Sequence, residues 1–138
     1  MTHLEVAAEI RHGVLTLARR MRAGRPPGAL SNNKILVLGH LHRRGPSTAG
    51  ALAAAEGQRP QSLTRVFAEL ERDGLISRSR DALDGRQAVL AISPAGAAAL
   101  RADMRERDAW LAGALGGLSA TEREVLRLAA RLMEQLGD

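Results

Sequence analysis

At 138 residues, 45% of them hydrophobic, the chain is long enough for one domain with its own core and too apolar for wholesale disorder. It has no cysteine, only Phe67 and Trp110 as aromatics, and no apolar run near the roughly 20 residues of a membrane span, which excludes disulfides, zinc ribbons and thiol catalysis. It also argues against an aromatic-rich β-sandwich or barrel. The net charge is +5, from 20 basic and 15 acidic residues, and the N-terminus lacks a signal-peptide layout, so a soluble, cytoplasmic protein is expected.

Along the chain, Leu4, Ala7, Ile10, Val14, Leu17 and Met21 recur at steps of three and four, which predicts a helix over 3–22. Pro26 and Pro27, within the 24–28 break, end it. Ser31 caps a second helix to about Arg43, buried through Ile35, Leu38 and Leu41 and stopped by Gly45-Pro46. Thr48 caps a short third helix, anchored by Leu52 and closed by Gly57. In the fourth, Pro60 suits the first helical position, and Leu63, Val66, Phe67 and Leu70 form an inward stripe. Gln61, Arg65, Ala68 and Arg72 then face outward. Gly74 fits a left-handed helix end, with Leu75 as the hydrophobic contact after it.

Two short strands are predicted at 75–80 and 86–92, joined by Asp81-Ala82-Leu83-Asp84-Gly85, where the Asp-Gly step signals a turn. Ser93-Pro94 opens a fifth helix through Met104 and Trp110 to Gly116-Gly117. Ser119-Ala120-Thr121-Glu122 is a capping box for the last. That helix shows Val125, Leu126, Leu128, Ala129, Leu132, Met133 and Leu136, an apolar arc too wide for one core contact. Such surplus on the first and last helices marks an interface, so a homodimer is expected.

Two short helices with a glycine in the turn between them have the helix-turn-helix layout. The second helix of such a pair enters a major groove. Here it would present Arg59, Gln61 and Arg65, with Ser62 and Thr64 as phosphate donors; Gln suits adenine and Arg suits guanine. Residues 11–55 support a nucleic-acid partner: they carry no acid while holding Arg11, Arg19, Arg20, Arg22, Arg25, Lys34, Arg43 and Arg44. A GC-rich genome explains an arginine excess equally well. The hairpin reads as a wing, with Arg86 at its base reaching a narrow minor groove and Asp84 holding its guanidinium.

In this order the elements resemble the MarR family of winged helix-turn-helix transcriptional regulators, over essentially the whole chain. The resemblance rests on Leu70-Glu71-Arg72-Asp73-Gly74-Leu75-Ile76-Ser77-Arg78, similar to the family's "LExxGLIxR" run. It rests also on Asp84-Gly85-Arg86-Gln87 followed by Leu90-Ala91-Ile92-Ser93-Pro94-Ala95-Gly96, similar to "DxR…xLTxxG". The wing departs from the family in carrying fewer basic residues, which implies a weaker minor-groove contact, with Arg80 placed to compensate. The resemblance implies a mainly α fold with a small β-hairpin wing, as a single domain over 1–138. Residues 31–93 would form the winged helix-turn-helix lobe, and 1–30 with 94–138 the helical dimerisation region. It also implies a small aromatic or anionic effector, for which Arg11, His12, Arg19, Met21 and Trp110 are candidate pocket residues.

No enzyme motif is present: there is no G-x-S-x-G elbow, H-E-x-x-H or P-loop run. Some MarR-like proteins sense zinc, but His40 and His42, two apart on a helix, face different ways, so no metal or other cofactor is expected. The function expected is therefore a dimeric, sequence-specific DNA-binding regulator on a pseudo-palindromic operator, acting as a repressor relieved by a small molecule. The alternatives are a non-specific or architectural nucleic-acid-binding protein, and a pure interaction protein of the same fold.

Overall fold

The computed structural model describes residues 1–80, 82, 83 and 85–137. Helix α1 (His3–Ala23) starts at a capping box: Thr2 Oγ1 accepts from Glu5 N and the Glu5 carboxylate accepts from Thr2 N. Helix α2 (Asn32–Arg44) is capped by Ser31 and ends at Gly45, whose φ of 78° lies in the left-handed region that glycine tolerates. Strand β1 (Ser47–Thr48) precedes α3 (Ala49–Ala55), and Thr48 caps that helix. Helix α4 (Pro60–Arg72) has its proline in the first turn, and strands β2 (Ile76–Arg80) and β3 (Ala88–Ile92) follow. Helix α5 (Pro94–Leu115) and α6 (Ala120–Gln135) complete the chain, α6 through the expected Ser119–Glu122 capping box. The protein is mainly α-helical with a small antiparallel sheet.

The residues pack as two compact units, Pro26–Arg105 and Met1–Arg25 with Glu106–Asp138. The first holds a core of Val37, Leu38, Leu41, Leu52, Ala53, Leu63, Phe67, Leu70, Ile76, Leu90 and Leu100, to which α2, α3, α4, the sheet and the start of α5 all contribute. Its sheet has the order β1-β3-β2, so a third strand joins the expected hairpin: Ser47 lies opposite Leu90, and Thr48 opposite Val89. Two residues carry no alternation, which is why β1 is invisible to pattern reading.

The hairpin differs from expectation at its second strand. The β2–β3 ladder runs from Ile76 opposite Ile92 to Arg80 opposite Ala88 and stops there. Arg86 and Gln87, expected in the strand, belong to the connecting turn instead. Arg86 thus sits beyond the ladder rather than at the base of the wing.

His40 is a buried polar side chain on α2. Its Nδ1 donates to Glu56 Oε1 at 3.1 Å, and its Nε2 lies 3.3 Å from Ser47 Oγ, which itself donates to Gly45 O. The imidazole thereby ties α2 to β1 and to the end of α3, while His42 is exposed. A buried imidazole with both ring nitrogens beside polar partners of the protein serves the fold.

A second junction joins the end of α4 to the start of α5. Gly74 has φ 73°, and Leu75 N donates back to Leu70 O at 2.9 Å, closing α4 in the Schellman manner. Ser93 grips this turn: its N–H donates to Leu75 O at 3.0 Å and its hydroxyl donates to Gly74 O at 2.6 Å. The same hydroxyl oxygen accepts from Gly96 N at 3.0 Å, capping α5. Gly96 is buried, and a Cβ there would overlap the carbonyl of Leu75 and crowd Ile92. Gly96→Ala should therefore cost about 1–3 kcal/mol through overpacking, read by urea denaturation. Gly50→Ala, where a Cβ meets open space on exposed α3, should instead leave stability unchanged or raise it. Equal behaviour of the two variants would contradict the close approach.

Candidate nucleic-acid interface

On α4, Leu63, Phe67 and Leu70 are buried in the core. A 3.6-residue period then obliges Gln61, Ser62, Arg65 and Ala68 to lie on the exposed side, and they do. Arg59, also exposed, holds the N-cap position but makes no side-chain cap bond, and Pro60 has no N–H. Ser62 N donates to Arg59 O at 3.0 Å, so what the first turn of α4 presents to an anion is the positive end of the helix dipole without a side-chain cap.

Thr64 behaves differently from expectation. Its hydroxyl donates to Pro60 O at 3.2 Å, one turn back along its own helix, so in the DNA-free chain its proton is engaged. Arg65 reaches outward with 91% of its side chain exposed, yet its Nε donates to Glu69 Oε1 at 3.1 Å. The other carboxylate oxygen of Glu69 lies 3.3 Å from Lys34 Nζ on α2. Lys34 and then Arg65 hold the Glu69 carboxyl below its ordinary value, against a small opposing desolvation. Lys34, one of the bases of the acid-free stretch 11–55, thus anchors the acid beside Arg65. Arg43, another base of that stretch, lies 3.3 Å from Glu56 and is 62% exposed.

The wing is tied to the end of α4 by the pair Arg78 Nε to Glu71 Oε2 at 3.1 Å. These are two of the four charged residues of the Leu70–Arg78 run, and their pairing across the Gly74 turn gives that motif a physical role. Arg80, Arg86 and Gln87 are exposed around the wing turn. Asp84, expected to orient Arg86, lies outside the described residues. The arrangement provides an outward helix face with Gln and Arg hydrogen-bonding heads, an uncapped helix start, and a basic hairpin beside it.

The chain shares 38% identity over 133 residues with an uncharacterised HTH-type transcriptional regulator of Mycobacterium bovis, covering 96% of this chain and 93% of that one. A family model described as MarR family matches residues 30–87. The chain belongs to the MarR family. It is therefore a transcriptional regulator of MarR type, and its matched segment contains α2 to α4 and the wing turn. Among solved structures, a transcriptional regulator of Pseudomonas aeruginosa superposes with a TM-score of 0.78 at 33% identity, covering 96% of this chain and 93% of that one. The Bordetella bronchiseptica protein BpsR, described as regulated in DNA binding by 6-hydroxynicotinic acid, has the same fold, with a TM-score of 0.68 at 21% identity and coverage of 91% and 98%.

The expected pocket residues all fall in the other unit. There α1, α5 and α6 enclose a groove of about 740 Å³, lined by Leu17, Met21, Leu111, Leu115, Leu126 and Met133 among others. Met21 thus lines a cavity, while Arg11, His12 and Arg19 are exposed on α1. Trp110 is half-buried on α5, where its indole fills the space that a Cβ on Gly24 would need.

The Glu69 contacts carry a sign that can be measured. A carboxyl whose folded value is depressed adds stability above its unfolded value and loses it as pH falls through the folded one. Glu69 should accordingly titrate below an unpaired glutamate in a carboxyl-detected NMR titration. Lys34→Met should move its midpoint up, because the first cause of the shift is removed; an unmoved midpoint would show that Lys34 does not contact it in solution.

Proposed function

We propose that this MarR-family regulator acts as a homodimer that reads a pseudo-palindromic operator, with α4 in the major groove and the wing against the minor groove. The observation that carries the reading half is the exposed Gln61 and Arg65 face of α4, set opposite its buried Leu63, Phe67 and Leu70. Arg65 would address guanine and Gln61 adenine, with Arg59, Ser62 and, after its hydroxyl rotates, Thr64 on the phosphates. Arg86 would enter the minor groove, with Asp84 as its partner.

The dimer is supported by α1 and α6, neither of which has a buried residue in the isolated chain. Leu4 is 81% exposed, Leu15 59%, Val125 59% and Leu132 62%, far more apolar surface than a stable monomer leaves in water. A second copy covering it would bury more than about 2,000 Å² in total. The division into a DNA-reading lobe at 31–93 and a dimerisation region at 1–30 and 94–138 belongs to the same proposal. Repression relieved by a small aromatic or anionic effector completes it, supported by the Bordetella neighbour of the same fold and by Arg11, His12, Arg19, Met21 and Trp110 as candidate contacts. The acid-free stretch 11–55 favours a second reading, in which charge alone holds DNA of any sequence.

Selection of bound fragments from a genomic library with the purified protein separates the two readings. A specific regulator returns a recurring two-fold motif and binds it on the order of 10³-fold or more above random duplex at fixed salt. Charge-driven binding returns no motif. Sedimentation at micromolar concentration should give a dimer, and a stable folded monomer would overturn the assembly. On the selected duplex, Arg65→Ala should cost roughly 1–3 kcal/mol and relax one base position per half-site. Equal losses on selected and random duplex would remove its reading role. Arg86→Ala should weaken binding chiefly where the flanks are A·T-rich and the minor groove narrow, with little change when they are G·C.

A further inference from the structure

The strongest unabsorbed feature of the reading face is an acid. Glu69 stands one helical turn after Arg65, on a helix proposed to approach a polyanion, where a carboxylate is repelled by every phosphate nearby. As a helix-stabilising pair it is also in the weaker order, with the base N-terminal to the acid. Its geometry points to another use. One oxygen takes Nε of Arg65 at 3.1 Å, while the other is held at 3.3 Å by Lys34, which belongs to a different helix. Arg65 is thus anchored through a neighbour that is itself anchored to α2, although its own side chain is 91% exposed.

We propose that Glu69 is the positioning residue for Arg65 and a determinant of sequence discrimination in this regulator. The inference rests on the proposed reading role of Arg65. A bond to Nε restrains the plane of the guanidinium and leaves the two terminal nitrogens, a pair that fits the O6 and N7 acceptors of guanine. Arg65 then enters the groove with part of its rotamer freedom already lost, and less ordering remains to be done on binding the correct base. The negative charge of Glu69 acts in the same direction. It opposes phosphate on every duplex alike, and only a sequence that gives Arg65 its guanine contact offsets that repulsion, so wrong sequences bind worse. Lys34 keeps the carboxylate in place by tying it to α2, so the acid does not simply swing away.

The test uses the full-length protein, the duplex it selects and a random duplex of equal length, with affinities compared at one salt concentration. Glu69→Ala should raise affinity for random DNA several-fold while reducing the ratio of selected to random binding about tenfold, with the loss of preference concentrated at the base pair relaxed by Arg65→Ala. Glu69→Gln should restore part of the preference, because an amide oxygen still accepts from Nε, but not the penalty on random DNA. In the Arg65→Ala background, Glu69→Ala should change base preference no further, since the group it positions is gone. Thermal unfolding of each variant is followed alongside, and comparable melting temperatures separate positioning from loss of fold. If Arg65→Ala relaxes one base position while Glu69→Ala leaves the ratio and preference intact, Arg65 still reads and the role of Glu69 is overturned. If Arg65→Ala relaxes nothing, both the reading role and this inference fall together.

Discussion

The winged unit depends on a close approach of two backbones, where the first turn of α5 lies against the carbonyl of Leu75. The sequence meets this constraint with three residues. Gly96 leaves the space, Ser93 takes up the carbonyls of Gly74 and Leu75, and Gly74 supplies the left-handed turn that brings those carbonyls round. Through this junction the end of α4, both hairpin strands and the start of α5 are held by a few hydrogen bonds within one turn's length. A side chain at position 96 would push them apart, and the Leu63, Phe67, Leu70 and Leu90 core beneath would have to follow.

The polar groups of this unit divide the work between them. His40, buried with Glu56 and Ser47, closes the α2 corner, and Glu71 with Arg78 braces the wing against α4. Both sets lie off the outward face of α4. The exposed Glu71–Arg78 pair adds little to stability, but it restricts where two long side chains go. On the outward face the same chemistry links Lys34, Glu69 and Arg65 in a chain from the α2 start to the exposed arginine. A regulator of MarR type must discriminate among many similar duplexes, and a basic surface without restraint binds all of them.

Most elements were legible because they obey short-range rules. Ser31, Thr48 and Ser119 cap helices as their side chains allow, Pro60 stands in a first turn, and Gly45 and Gly74 end helices where a positive φ is needed. The Leu63, Phe67 and Leu70 stripe faces the core as its spacing requires. Thr2 is equally legible, since Thr-x-x-Glu opens α1. What escaped depended on distant partners. Strand β1 exists only because β3 offers it an edge at Val89 and Leu90, and the β3 start at Ala88 is set by the last pair with Arg80.

The sequence by itself determined the helices, the turn glycines, the outward residues of α4 and, through the Leu70–Arg78 and Leu90–Gly96 runs, the family. Each of these follows from interactions spanning a few residues, where spacing along the chain is already spacing in space. The tertiary structure alone decided which charges meet. Residues 34 and 69, or 40 and 56, are unremarkable in sequence and become partners only when α2 packs beside α3 and α4. It likewise decided that Gly96 is needed for room rather than for φ, because burial and close approach are properties of the packed chain and have no local signature.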